Sequence, residues 1–113
     1  MKIIENSNGL SKRALYKMTQ GKDLHKISDC EGLEFDITEY VIYTDTNTRT
    51  GEEQELLAFM TDKGEILSTN SSTVIRSFRA MIEAFEELPI TGVRVISGQS
   101  KSGRTYYDID LID

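Results

Sequence analysis

The stretch Ser72-Thr-Val-Ile-Arg-Ser-Phe-Arg-Ala-Met-Ile-Glu-Ala-Phe-Glu-Glu-Leu88 carries the clearest structural signal in the chain. Hydroxyl and amide side chains at residues 70–72 can cap the first turn of a helix, and Pro89 cannot continue the helical hydrogen bonds. The sequence therefore predicts one amphipathic helix over residues 72–88 that faces a core. Its apolar residues form one stripe at the 3.6-residue period: Val74, Ile75, Phe78, Met81, Ile82, Phe85 and Leu88.

Strand-like runs surround this helix, three before it and two after it. In the first run, Phe35 and Ile37 are apolar at odd positions, whereas Tyr40 and Ile42 are apolar at even positions. Because one inserted residue exchanges the two faces of a strand, we predict a bulge or bend near residues 38–39. The predicted strands cover about residues 33–44, 53–61, 65–69, 90–97 and 104–112.

Five strands, with a bent first strand and a helix between the third and fourth, are the layout of an OB-fold, a partly open Greek-key barrel. We predict a mainly β, five-stranded OB-fold barrel whose helix closes one end. The alternative is an α+β arrangement in which the helix crosses a flat antiparallel sheet, and the parity change in the first strand favours the barrel. The expected domain spans residues 11–113, with short helical segments at about 11–19 and 23–29, after a flexible segment at residues 1–10.

The distribution of charge is uneven. The formal net charge of the 113 residues is −6. Residues 1–28 carry six basic and two acidic side chains, hence +4, so the remainder carries −10. A basic N-terminal segment before an acidic remainder indicates either a segment that contacts an anionic partner or a solvated basic helix docked on its own domain.

No grouping of reactive residues predicts an enzyme. The chain has no Walker-type glycine loop, and its single histidine, His25, and single cysteine, Cys30, have no orienting partner in the sequence. A lone histidine does not make a metal site, so we expect no catalysis, no cofactor and no metal. No apolar run is long enough for a transmembrane helix or a signal peptide, and one cysteine cannot form an internal disulfide. These features predict a cytoplasmic protein.

A binding surface is the remaining functional expectation. OB-folds bind oligonucleotides on the face of strands two and three and with the loops that join strands one and two and strands four and five. Both loops carry cations here, and aromatic side chains lie near them, as single-strand binding requires. Core packing is the favoured alternative for Phe59, whereas strand alternation predicts that Tyr106 is exposed. The predicted nucleic-acid-binding residues are Tyr43, Arg49, Phe59, Arg94, Lys101, Arg104 and Tyr106.

Several segments resemble the small single-stranded DNA-binding proteins of phages and conjugative elements of Gram-positive bacteria. The resemblance covers roughly residues 11–112, and its most specific part is the Ile-Ser-Gly-x-Ser-Lys-x-Gly-Arg run that ends at Arg104. It implies an OB-fold without catalysis and a role in the replication or transfer of mobile DNA. The chain lacks the tryptophan of the larger bacterial proteins. The segments are Lys26–Gly32, Tyr43–Glu52, Leu67–Thr73 and Val95–Arg104.

The leading expectation is therefore sequence-tolerant binding of single-stranded DNA. Replication or transfer proteins and further copies of the chain are candidate partners, and no membrane is expected. The alternative is an OB-fold protein-interaction module that binds no nucleic acid. The negative net charge argues against the first expectation, because an acidic protein binds nucleic acid only through a local positive groove. The sequence leaves open whether RNA also binds.

Overall fold

The chain folds into a curled, open seven-stranded sheet and two α-helices. A computed structural model describes residues 1–113. The strand order is β2-β5-β4-β3-β6-β7, and β1 pairs with β3 beside that row. The mainly β prediction is confirmed, but the predicted strand count of five is wrong. The strands are β1 (Lys2–Asn6), β2 (Leu24–Lys26), β3 (Glu34–Thr46), β4 (Glu53–Thr61), β5 (Ile66–Thr69), β6 (Ile90–Gln99) and β7 (Thr105–Leu111). The helices are α1 (Lys12–Gln20) and α2 (Ser72–Phe85), and a 3₁₀ turn covers Ile27–Asp29.

The sheet is organised around β3, the longest strand. One of its edges pairs with β4, while its first half pairs with β6 and its second half pairs with β1, all antiparallel. The register with β4 shifts between Ile37 and Glu39, which confirms the predicted bulge near residues 38–39. Strands β3, β4 and β5 form a meander, and β6 returns beside β3 after α2, which is Greek-key order.

The predicted amphipathic helix is confirmed, but it ends earlier in the sequence than predicted. The Ser71 hydroxyl accepts a hydrogen bond from the Val74 N–H at 3.3 Å and caps α2. The helix ends at Phe85 because Glu86 adopts a left-handed φ of 67°. The apolar stripe packs into the main core cluster, where the Phe59 ring lies 5.4 Å from Phe35 and 6.4 Å from Phe78, measured between centroids.

Strand β1 corrects the prediction that residues 1–10 are a flexible segment. Its residues pair with β3, and the Ser7 N–H donates to the Tyr40 carbonyl at 3.0 Å. Ile4 is exposed, like Lys2 and Asn6, whereas Ile3 and Glu5 are half-buried. The Glu5 carboxylate accepts a hydrogen bond from the Tyr40 hydroxyl. Because the hydrogen-bonded carboxylate of Glu5 faces inward and Ile4 faces outward, the sequence of β1 lacks the alternation of apolar and polar residues that is usual for a half-buried strand.

The two short N-terminal helical predictions have different outcomes. Helix α1 is confirmed, and the Ser11 hydroxyl accepts from the Ala14 N–H at 3.1 Å as its cap. The predicted helical turn at residues 23–29 is present only as the 3₁₀ turn at its end, because strand β2, parallel to β5, forms the first part of this segment. A second core cluster lies beneath α1 and includes Met18 from the helix and Tyr43 from β3.

Candidate nucleic-acid interface

A cleft of about 510 Å³, here called the seam cleft, lies where β2 and the 3₁₀ turn face β7 at the two free edges of the sheet. None of its 12 lining residues is acidic, although the chain contains 19 acidic residues. The seam cleft is therefore a place on an acidic protein where an anion meets no carboxylate. Its polar lining includes Lys26, Ser28, Ser68, Thr73, Tyr106 and Tyr107.

Tyr106 is the exposed aromatic residue of the seam cleft. Its side chain is 47% exposed, which confirms the exposure predicted from strand alternation. The ring lies across Gly98, its partner on β6, and a Cβ atom at Gly98 would stand only 2.7 Å from the Tyr106 Cζ atom. The absence of a side chain at Gly98 therefore sets the position of the ring, which a base could use as a stacking platform.

The β6–β7 loop places two free cations beside this ring. The loop is closed by hydrogen bonds from the Ser100 N–H to the Arg104 carbonyl and from the Gly103 N–H to the Ser100 carbonyl, both 2.9 Å. The side chains of Lys101 and Arg104 are exposed, and neither joins any of the ion pairs of the molecule. Both charges are thus available to phosphate groups.

The β3–β4 loop contributes a third free cation, Arg49. Its side chain is exposed and forms no ion pair, and its N–H donates to the Asn47 Oδ1 atom at 2.9 Å. The Asn70 amide donates to the Gln54 Oε1 atom at 3.3 Å. Because Asn70 lines the seam cleft and Gln54 lies at the start of β4, this bond holds the base of the β3–β4 loop beside the cleft.

Two of the predicted aromatic contact residues are buried in the structure. Phe59 is 0% exposed, in the main core, so the core-packing alternative is the correct one. Tyr43 is only 4% exposed, because the unexpected strand β1 and helix α1 cover it. Burial, and to a smaller extent the carboxylate of Asp45, raises the pKa of Tyr43.

Arg94 is exposed, as an interface residue must be, but it is already occupied. Its guanidinium donates to one carboxylate oxygen of Glu34 through Nε at 2.8 Å and Nη2 at 2.6 Å. A phosphate would have to compete with these two charge-assisted hydrogen bonds. Sequence reasoning also missed Lys26, Ser28 and Thr73, although all three lie in the segments that carry the resemblance to single-stranded DNA-binding proteins.

A larger cleft of about 980 Å³, here called the acidic cleft, lies between β1, the bulge of β3 and the C-terminal end of α2. The Tyr40 hydroxyl donates to Glu5 Oε1 at 2.8 Å, and Arg79 Nη1 donates to Glu5 Oε2 at 3.1 Å. Burial and then the hydrogen bond to Glu5 raise the pKa of Tyr40 to about 12. This cleft repels phosphate. Its charged lining consists of Glu5, Glu39, Arg79, Glu83, Glu86 and Glu87.

No group of three or more histidine, cysteine or acidic side chains is arranged to hold a metal ion. Neither helix has the length and apolar character needed to cross a membrane. Comparisons of the chain with protein-family models, with curated proteins and with solved structures give no match.

Proposed function

We propose that this protein binds single-stranded DNA without sequence preference, through the seam cleft and the two loops beside it. The observation that carries the proposal is the charge contrast between the clefts: the seam cleft has no acidic lining residue and an exposed tyrosine, whereas the acidic cleft has five glutamates. Single-strand binding needs an aromatic platform and cations without competing carboxylates. Only the first cleft meets this requirement.

The proposal includes an OB-fold. The central order β5-β4-β3-β6-β7, with α2 between β5 and β6, supports this assignment, as does the bulge that lets β3 pair on both sides. Strands β1 and β2 are then additions to the five-stranded plan, and β2 together with the 3₁₀ turn fills the side of β5 that would otherwise face β7.

A single strand can engage this site in a definite way. A base stacks on Tyr106, and the phosphate beside it meets Arg104, which lies two residues away and hence about 6–7 Å along the strand. Lys101 at the loop tip contacts the next phosphate, while hydroxyl groups of Ser28 and Thr73 contact sugar or phosphate oxygens. These contacts read no base edge, so sequence tolerance follows. The role in phage or mobile-element replication or transfer remains part of the proposal, on the resemblance alone.

Fluorescence anisotropy of a labelled oligo-dT tests the proposal, with titrations at about 50 mM and about 200 mM salt. We expect binding that weakens as salt rises, because the cations release counterions from the strand, and similar affinities for oligo-dC and oligo-dA. Absence of binding at the lower salt concentration would refute the proposal and favour the alternative, a protein-interaction module that uses the acidic cleft. Oligo-rU in the same assay measures whether RNA competes.

A further inference from the structure

The outward face of α1 is basic and has no partner within the chain. Lys12, Arg13, Tyr16 and Lys17 are all exposed, and Tyr16 reaches 63% exposure, the highest among the large apolar and aromatic side chains. None of these cations joins an ion pair. Tyrosine and arginine are enriched in protein interfaces, and both are exposed on this helix face.

The acidic cleft has the complementary chemistry. Its single arginine, Arg79, is already paired with Glu5 at 3.1 Å and with Glu55 at 3.7 Å. The remaining four glutamates of the lining, Glu39, Glu83, Glu86 and Glu87, form no ion pair. The half-buried side chains of Ile82 and Leu88 add apolar surface between them, on which an aromatic ring can rest.

We propose that the α1 face of one copy docks in the acidic cleft of a second copy. No ion pair joins the two surfaces within one chain, so both are free to meet between chains. Each copy carries both surfaces, so the contact is either reciprocated in a two-fold dimer or repeated head-to-tail from copy to copy. No residue lines both clefts, so assembly leaves the seam cleft open. The proposal does not depend on DNA binding.

The size of the helix limits the strength of this contact. Nine residues of helix extend for about 14 Å, so the buried surface falls at or below the lower end of the range for specific interfaces. The association is therefore weak, and it depends on protein concentration and salt, since charge pairs supply much of its specificity. Sedimentation equilibrium of the full chain is the suitable measurement, because it reports average mass over a wide concentration range.

We expect the average mass to rise with concentration at low salt and to fall back to that of the monomer at high salt. Two charge-reversed variants test the surfaces: Lys12→Glu with Lys17→Glu, and Glu83→Lys with Glu87→Lys. Each alone should self-associate at least about tenfold more weakly, because like charges then face each other. An equimolar mixture should regain association, since every contact between the two variants is complementary. Circular dichroism establishes that both variants are folded.

The control variant, Lys63→Glu with Arg76→Glu, carries the same change in net charge as the α1 variant, at exposed positions outside both surfaces, and should associate like the parent. A monomer at every concentration would overturn the proposal, as would a mixture that fails to regain association. If the parent chain is monomeric at every concentration and the α1 variant loses oligo-dT affinity, the α1 face contacts nucleic acid instead of a second copy.

Discussion

The phenol ring of Tyr106 lies across the backbone of Gly98, and a Cβ atom on that glycine would stand 2.6 Å from the Tyr106 hydroxyl oxygen. The two residues are partners across β6 and β7. Because the atoms in the way belong to the far end of an exposed side chain, Gly98→Ala should fold normally but push the ring off its position. The position of the ring can thus be tested without removing it.

We expect Tyr106→Ala to weaken oligo-dT binding by roughly 1–3 kcal/mol, the contribution of one stacked base. Gly98→Ala should weaken binding by the same amount or less. Neither change should alter the salt dependence, because stacking releases no counterion. Anisotropy titrations measure both effects, and Thr91→Ala, at an exposed β6 position near the other end of the strand, is the control. Parent-like binding by a folded Tyr106→Ala variant would place the DNA site elsewhere.

Lys101→Ala with Arg104→Ala should weaken oligo-dT binding and also flatten its salt dependence. Each phosphate contact on a single strand contributes about 0.7 to the slope of log K against log salt, so losing both should reduce the slope by about 1.4. The matched control is Lys63→Ala with Arg76→Ala, which also removes two cations, at exposed positions that do not line the seam cleft. An equal change in the slope for the control would mean that only net charge matters.

Deletion of residues 1–9 should destabilise the protein, because it removes β1 together with its hydrogen bonds to β3 and the Glu5 contacts to Tyr40 and Arg79. We expect a loss of at least about 2 kcal/mol, hence a melting temperature lower by roughly 8 °C or more. Ile4→Thr changes an exposed β1 side chain and should have little effect. A truncated chain that melts like the parent would show that β1 adds nothing to the sheet's stability.

Alkaline pH should destabilise the fold through Tyr40. Its pKa is about 12 in the folded protein, against about 10 for an unperturbed tyrosine, so the unfolded state loses this proton first. The raised pKa contributes up to roughly 2 kcal/mol to the free energy of unfolding. This contribution is fully present below about pH 10 and is lost as the pH rises to about 12. Urea unfolding across this range should show a shallower decline for Tyr40→Phe than for the parent, and Tyr16→Phe, at an exposed tyrosine, should follow the parent.

The sequence was sufficient for elements whose pattern reflects burial directly. The α2 stripe, the parity change at residues 38–39 and the exposure of Tyr106 all follow from which side chains face the core. Two strands were not predicted, for different reasons. In β1 a polar residue, Glu5, faces inward and is satisfied by Tyr40, while β2 is three residues long, too short for any period to be read.

The burial of Tyr43 follows in part from β1, the strand that the sequence pattern does not predict. Without β1 and the packing of α1, Tyr43 would lie on an open face, whereas both elements in fact cover it. The pairing of Arg94 with Glu34, 60 residues away, cannot be read from local sequence either. By contrast, Arg49, Lys101 and Arg104 lie in loops, where exposure depends little on tertiary packing, and they are exposed as predicted.

The same 60-residue separation has a consequence for how the chain folds. Since β3 pairs with β6 as well as with β4 and β1, the centre of the sheet stays incomplete until β6 has been synthesised. Until then the first half of β3 leaves one edge without a partner, and such edges favour association between nascent chains. Pairings this distant in sequence also slow the conformational search. Refolding should therefore be slower than for a helical protein of this length, and a fragment that ends before β6 should aggregate.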